Sequence, residues 1–113
     1  MTGWLLRDGE VLAALEVAES FQERTRGLLG RPGLAGALLL RPARSVHSVG
    51  MRFPIDVAFC DKNLWVVRTV HMRPGRVTRP SLRGCCVIEA EAGAFERWRL
   101  QPGDHLEVRE AAS

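Results

Sequence analysis

The sequence predicts a mostly β protein with two short helices, folded as an antiparallel β-sandwich or barrel. About seven short runs rich in β-forming residues follow one another, separated by Gly, Pro or Asn turn signals. Only two brief segments have helical character. The 113 residues, 46% hydrophobic and 26% charged, are sufficient for a single domain, 1–113, with its own core.

The first element is predicted to be a β-hairpin. Strands over 4–7 and 10–17 flank Asp8-Gly9, a dipeptide that readily adopts the positive φ angles of a type I′ turn. We therefore expect these two strands to pair antiparallel.

A helix is predicted to follow the hairpin. Ser20 and Glu23 match the capping box, in which a hydroxyl and a carboxylate accept hydrogen bonds from the exposed amides of the first turn. We expect this helix to end near Gly30. Its inward-facing stripe should consist of Phe21, Thr25, Leu28 and Leu29.

Short strands are predicted for most of the remaining chain. Residues 61–63 supply turn chemistry between two β-forming runs and make them a hairpin. A second helix is expected over 93–99, and residues 101–104 suit a type II turn. The predicted strands cover 37–40, 43–48, 55–60, 64–72, 85–90 and 105–109.

Charge is distributed unevenly along the chain. The net charge is +3, but residues 41–83 contain nine basic and two acidic residues, a net charge of +7. Residues 84–113 carry a net charge of −3. Such a pattern indicates either a face that attracts anions or basic side chains that pair with the acidic segments in the fold, and the second is the more common arrangement.

The cysteines and the N-terminal sequence argue against export and against a metal. Cys60, Cys85 and Cys86 have neither zinc-site nor redox-motif spacing, so we expect reduced thiols and no metal or other cofactor. The N-terminus lacks the pattern of a secretory signal, and the longest apolar run is too short to span a bilayer. We expect a cytoplasmic protein without a membrane partner.

The segment around Pro54 is the best candidate for a binding site. An irregular polar stretch containing Gly50 enters a strongly β-forming strand there. Arg52 and Asp56 bracket Pro54, and a bend would bring them toward a shared ligand or into a structural ion pair. The predicted ligand-binding residues are Arg44, His47, Arg52 and Asp56.

An acid–base enzyme is the first alternative. Asp56 together with His47 or His71 would have suitable chemistry if folding brings them together. Histidines are more commonly structural, however, and His47, His71 and His105 lack the close spacing of zinc ligands. Because the sequence contains no nucleophile elbow or phosphate loop, we assign no catalytic residue.

Binding of a polyanion is the second alternative. Residues 73–83 contain four arginines and no acidic residue, which suits phosphates, polyanionic sugars or an acidic protein face. The lack of nearby aromatic residues for base stacking disfavours nucleic acid, and a solvated basic loop is the simpler interpretation. The predicted polyanion-binding residues are Arg73, Arg76, Arg79 and Arg83.

Three blocks of sequence resemble a known family. They cover residues 23–31 (ERTRGLLGR), 51–56 (MRFPID) and 87–93 (VIEAEAG), with Gly103-Asp104 behind the last. Over roughly residues 17–108 the chain thus resembles the family catalogued as domain of unknown function 192. The resemblance implies a small β-sandwich or barrel with the helix packed on it, and it implies no particular activity.

The chain departs from this family's pattern at the candidate binding segment. Residues 47–50 read HSVG where relatives usually have aromatic residues, and Arg52 replaces the frequent Lys. Our prediction is a non-catalytic binding domain for a small polar or anionic molecule or for a protein partner. Neither the ligand nor the oligomeric state follows from the sequence.

Overall fold

The structure, a computed structural model that describes residues 2–111, contains one mixed β-sheet of seven strands with two short helices. The strand order across the sheet is β5-β4-β6-β3-β2-β1-β7. The strands are β1 (Thr2–Arg7), β2 (Glu10–Ala18), β3 (Ala37–Leu40), β4 (Ile55–Cys60), β5 (Val66–Met72), β6 (Cys86–Glu91) and β7 (Leu106–Glu110), and the helices are α1 (Phe21–Arg26) and α2 (Ala94–Trp98).

The prediction of a mostly β fold with two short helices is confirmed, but the antiparallel sandwich or barrel is wrong. All seven strands belong to one sheet, and β2 pairs with β3 in parallel. The physical reason lies in α1, because a helix between two neighbouring strands returns the chain to the end of the sheet where the first strand began. The edge strands β5 and β7 are not paired along their length: their first residues meet at one corner, where an isolated bridge joins Trp65 to His105 and the Val66 amide donates a hydrogen bond of 2.8 Å to the Asp104 carbonyl. The sheet is therefore not closed into a barrel.

The first hairpin and the start of α1 form as predicted. Asp8 and Gly9 have φ angles of 53° and 80°, as a type I′ turn requires. At the start of α1, the Glu23 amide donates to the Ser20 hydroxyl at 3.0 Å, and the Ser20 amide donates to the Glu23 carboxylate at 3.1 Å. The hydrogen bond from the Ser20 backbone holds the pKa of Glu23 below its ordinary value.

Three finer predictions are wrong. Helix α1 ends at Gly27 instead of Gly30, because Gly27 takes a positive φ of 46° as its C-cap. Phe21 is 75% exposed and Thr25 is also exposed, so only Leu28 and Leu29 of the predicted stripe face inward. The predicted strand over 43–48 is irregular, with a single isolated bridge, because its backbone bonds to another loop instead of the sheet.

The two faces of the sheet carry separate hydrophobic layers. We call these layers the α2 face and the α1 face. The α2 face includes Leu39 and Ile88 and packs against Ala94 and Phe95 of α2. The α1 face includes Leu38, Val57 and Val87 and is covered by Leu28 and by two long loops. Because side chains alternate along a strand, neighbouring residues on β4 or β6 belong to different faces.

The cysteines are free thiols. Cys85, directly before β6, is exposed, while Cys86, the first residue of β6, is buried. Cys60 and Cys86 are register partners on β4 and β6. Contact with the Cys86 thiol, together with burial, raises the pKa of Cys60, which therefore stays protonated.

Candidate functional site

The two segments in which the sequence indicated binding residues lie against each other. The Ser48 amide donates a hydrogen bond of 2.7 Å to the Arg76 carbonyl, and the Thr78 amide donates to the Val46 carbonyl at 2.9 Å. An isolated antiparallel bridge joins His47 to Val77 between these bonds. The loop before β4 and the basic loop after β5 therefore form one continuous cover over the α1 face.

Ser48 holds this cover together. Its side chain is completely buried, and its hydroxyl donates to the Arg73 carbonyl at 2.6 Å and accepts from the Arg76 amide at 2.9 Å. Its carbonyl accepts hydrogen bonds from the Gly75 and Met51 amides at 2.9 and 3.1 Å. Together with the bond from the Ser48 amide to the Arg76 carbonyl, four hydrogen bonds of Ser48 cross to the basic loop and fix the relative position of both loops.

A cavity of about 440 Å³ lies between α1, the loop before β4 and the sheet. We call it the α1 cavity. Its lining is largely apolar. The cationic side chains come from exposed or half-buried positions and therefore form a basic rim. The apolar lining includes Leu28, Leu29, Leu40, Val46 and Met51, and the ionisable residues are Arg24, Arg26, Arg44, His47 and Glu89.

Glu89 lies at the floor of the α1 cavity on the central strand β6. Its register partners are Leu38 on β3 and Val57 on β4, both part of the apolar layer of the α1 face. The residue is only 3% exposed, and its carboxyl group makes no hydrogen bond or ion pair with any of residues 2–111. Burial alone raises the pKa of Glu89 to about 7.

The structure brings together two of the four predicted ligand-binding residues. Arg44 and His47 both line the α1 cavity, and the Arg44 Nε donates to the Gly84 carbonyl at 3.3 Å. Arg52 is exposed and lies outside the lining of this cavity. Asp56 belongs to the opposite face of the sheet, so the sheet separates it from Arg44 and His47. The role of these four residues in ligand binding stays a prediction.

Asp56 has a structural task on the α2 face. One carboxylate oxygen accepts hydrogen bonds from the Gly93 and Phe95 amides at 2.9 and 3.1 Å, which are donors at the start of α2. The other oxygen lies 3.2 Å from Nδ1 of His71, the register partner of Asp56 on β5. Since Gly93 provides no side chain to cap α2, Asp56 supplies the cap from a neighbouring strand.

Three of the four predicted polyanion-binding residues line a second cavity, of about 470 Å³. Arg73, Arg76 and Arg79 share it with Arg68, whereas Arg83 lies outside its lining. Arg68 stacks over the Phe59 ring, with its guanidinium carbon 4.2 Å from the ring centre, and donates to the Arg79 carbonyl at 2.9 Å. Arg68 therefore helps to hold the basic loop on the sheet.

Sequence reasoning missed Glu89 and Ser48 as site residues. Glu89 sits in the block quoted for the family resemblance, but no role was assigned to it. The sequence did contain a signal. Glu89 lies two residues after Val87, so both side chains belong to the same face of a strand, and the rest of the run is suited to a buried strand. The bonds of Ser48 are to a loop more than twenty residues away, and nothing in the local sequence predicts that pairing.

Two further findings concern metal ions and membranes. Residues 2–111 include no cluster of three or more His, Cys, Asp or Glu side chains arranged to hold a metal ion. Neither α1 nor α2, the helices of this stretch, has the length needed to cross a membrane.

Fold and site together define a small mixed-sheet β domain with a largely apolar, basic-rimmed cavity beneath its first helix. The sequence profile of DUF192, a family described as an uncharacterized ACR, matches residues 5–108. The chain belongs to this family. A UPF0127 protein of Pyrococcus horikoshii is 30% identical over 104 residues, which cover 88% of this chain and 87% of that protein.

Solved structures from two bacteria share the fold. A protein of unknown function from Novosphingobium aromaticivorans superposes with a TM-score of 0.77 at 18% identity, covering 94% of this chain and 83% of that one. A protein from Sinorhizobium meliloti, described as a candidate transcription regulator, also gives a TM-score of 0.77, at 20% identity and with 95% and 92% coverage. At these identities the likeness concerns the fold alone.

All three sequence blocks that carry the family resemblance meet at the α1 cavity. The first block contributes the residues from Arg24 to Leu29, the second contributes Met51 and the third contributes Glu89. These blocks are far apart in the chain, and each also has positions that face elsewhere. Their meeting point supports the choice of this cavity as the candidate site.

Proposed function

We propose that this protein is a non-catalytic binding domain whose ligand, a small molecule with an anionic group, occupies the α1 cavity. The observation that carries the proposal is the composition of this cavity. An apolar interior of about 440 Å³ ends in a rim that bears Arg24, Arg26, Arg44 and His47. Small-molecule sites typically combine a concave apolar lining with a few polar groups that fix orientation.

Electrostatics favour an anion at the rim. Arg24, Arg26 and Arg44 form no ion pair within residues 2–111, although Arg24 and Arg44 donate hydrogen bonds to backbone carbonyls. Their positive charges are therefore not compensated by neighbouring carboxylates. Guanidinium groups bind carboxylates and phosphates through paired hydrogen bonds, so the rim is suited to such groups.

The test is a backbone amide NMR titration with pooled metabolites, sugars and divalent metal ions. We expect saturable shifts at residues 24–29, 44–51 and 89 for a ligand in the α1 cavity. Arg44→Ala should then weaken binding about tenfold through loss of one charged hydrogen bond. Arg52→Ala is the matched control, because Arg52 is exposed and lies outside the cavity lining.

Different results would redirect the proposal. Equal losses in Arg44→Ala and Arg52→Ala would extend the site toward the entrance of β4, as the sequence predicted. Unchanged affinity in a folded Arg44→Ala protein, with shifts elsewhere, would exclude the α1 cavity as the site.

An acid–base enzyme remains the second candidate, and the contact of 3.2 Å between Asp56 and His71 favours it. The His71 side chain is 60% exposed, so its other ring nitrogen is accessible to a substrate. Against this candidate, Asp56 also holds the start of α2, a structural task that fully accounts for its burial. If the pair is catalytic, His71→Gln will abolish turnover of a substrate found by screening without lowering stability.

Polyanion binding is supported by the shared cavity of Arg73, Arg76 and Arg79. It predicts that affinity for heparin or an oligonucleotide falls steeply with salt, and that each arginine removed reduces this dependence. Absence of binding at low salt would eliminate this candidate.

A further inference from the structure

The carboxyl group of Glu89 is a buried acid that has no partner among residues 2–111, and it lies in a cavity large enough for a ligand. Glu89 is 3% exposed and lines the α1 cavity together with apolar side chains. Its strand neighbours on both sides, Leu38 and Val57, provide no donor side chain. Buried carboxyl groups are normally paired or hydrogen-bonded, so this arrangement calls for an explanation.

The charged groups that face Glu89 belong to the elements that enclose the cavity. Helix α1 contributes Arg24 and Arg26, and the loop before β4 contributes Arg44 and His47. None of these four forms an ion pair with Glu89. The next acidic residue on the same face of β6, Glu91, is exposed and its carboxylate lies against Gly33, away from the cavity.

A negative group at the floor and positive groups at the rim divide the cavity into two poles. The interior between them is apolar. A molecule that fills such a space gains most when its own charges are opposite at its two ends and its middle is hydrocarbon.

We propose that Glu89 is the recognition group for a cationic end of the ligand, so that the α1 cavity selects bipolar molecules with an ammonium or guanidinium group inside and an anionic group at the rim. This inference rests on the proposed function, which places an anionic group at the rim. It adds the second pole and thereby defines the ligand class as short zwitterions.

Binding of a cation to Glu89 requires the carboxylate form. In the empty protein the raised pKa of about 7 keeps part of Glu89 protonated at neutral pH. When an ammonium group enters, the carboxyl group must release that proton to the solvent. Affinity for a zwitterion should therefore fall about tenfold for each pH unit below the pKa of the empty site.

The experiment compares 6-aminohexanoate and its shorter homologues with hexanoate, which has the anionic end and the hydrocarbon but no ammonium group. Amide shifts around the α1 cavity report binding to the wild-type protein, to Glu89→Gln and to Glu91→Gln. We expect an ω-amino carboxylate to bind at least about tenfold more tightly than hexanoate. This difference in affinity should vanish in Glu89→Gln and persist in Glu91→Gln. Hexanoate should bind Glu89→Gln at least as well as wild type.

The outcomes separate the inference from the proposed function. If hexanoate and every ω-amino carboxylate bind equally, and Glu89→Gln changes neither, the recognition role of Glu89 is overturned while the anion site stands. If no member of either series shifts the cavity amides at millimolar concentration, both proposals are overturned. Glu89→Gln is nearly isosteric and removes an unpaired charge, and an unchanged amide spectrum outside the cavity verifies its fold.

Discussion

Two carboxyl groups on adjacent strands have opposite surroundings in this protein. Asp56 of β4 and Glu89 of β6 are one register position apart, since Asp56 pairs with Ala90 and Val57 pairs with Glu89. Asp56 faces the α2 side and accepts two backbone hydrogen bonds besides its contact with His71. Glu89 faces the α1 side and has no partner among residues 2–111.

This difference indicates which acid stabilises the fold and which is free for a ligand. A carboxylate that accepts several hydrogen bonds stabilises the folded state, whereas a buried carboxyl without partners weakens it. A protein retains such a destabilising group most readily where it serves binding, because functional sites are often made at the expense of stability. The comparison moves attention from Asp56, which the sequence favoured, to Glu89.

The largest effect is expected from Asp56→Ala. The change leaves the Gly93 and Phe95 amides without an acceptor at the start of α2, and it should lower the free energy of unfolding by about 3 kcal/mol. Urea unfolding followed by circular dichroism measures this loss. His71→Ala is the control, and because its side chain is 60% exposed we expect less than about 1 kcal/mol.

Glu89→Gln should raise the free energy of unfolding, and only above acidic pH. Burial raises the pKa of Glu89 from 4.5 to about 7, so the protonated folded form is favoured. The free energy of unfolding of the wild-type protein therefore contains the full contribution of this group below pH 4.5. It falls by on the order of 3 kcal/mol as the pH rises to about 7, because the buried carboxyl group must then ionise.

Urea unfolding of wild type and Glu89→Gln at pH 4.5 and 8 measures this dependence. The difference in unfolding free energy between the two proteins should shift in favour of Glu89→Gln as the pH rises. Identical pH dependence in both proteins would contradict the description of Glu89 as unpaired.

Ser48→Ala should have an intermediate effect. Loss of the hydroxyl leaves the partly buried Arg76 amide without its side-chain acceptor and loosens the contact between the two loops. We expect a loss of about 2 kcal/mol in the free energy of unfolding and faster amide exchange at residues 73–78. Ser45→Ala, at an exposed position, should leave both quantities unchanged.

The smallest effect is expected from Ser20→Ala, which removes the hydroxyl acceptor of the α1 capping box. The predicted loss is about 1 kcal/mol, measurable by thermal unfolding. Because α1 forms one wall of the α1 cavity, ligand affinity should fall as well. Gln22→Ala on the exposed side of α1 is the control, and an equal loss in both variants would show that the cap does not act specifically.

Features encoded within a few residues could be predicted from the sequence. Asp8-Gly9 determines its own turn, and Ser20 with Glu23 determines the start of α1, because the interacting groups are neighbours in the chain. The end of α1 was predicted at Gly30, but Gly27 is the C-cap, because either glycine has the backbone freedom that can end a helix.

The rest depends on contacts between distant segments. Pairing of the loop around Ser48 with the loop around Arg76 replaces a strand that local β propensity favoured over 43–48. Arg44 and His47 lie near each other in the sequence and line the same cavity, but the side of the sheet that Asp56 faces follows from the register of β4 with β5 and β6. The isolation of Glu89 likewise became visible only once its neighbours on β3 and β4 were known.

The most direct test is a pH titration of the Glu89 side-chain carboxyl carbon by NMR, with and without 6-aminohexanoate. We expect a midpoint near pH 7 in the empty protein and a lower midpoint when the ammonium group is bound. A midpoint near the ordinary value of 4.5 in both samples would show that Glu89 already has a partner, and it would contradict the account.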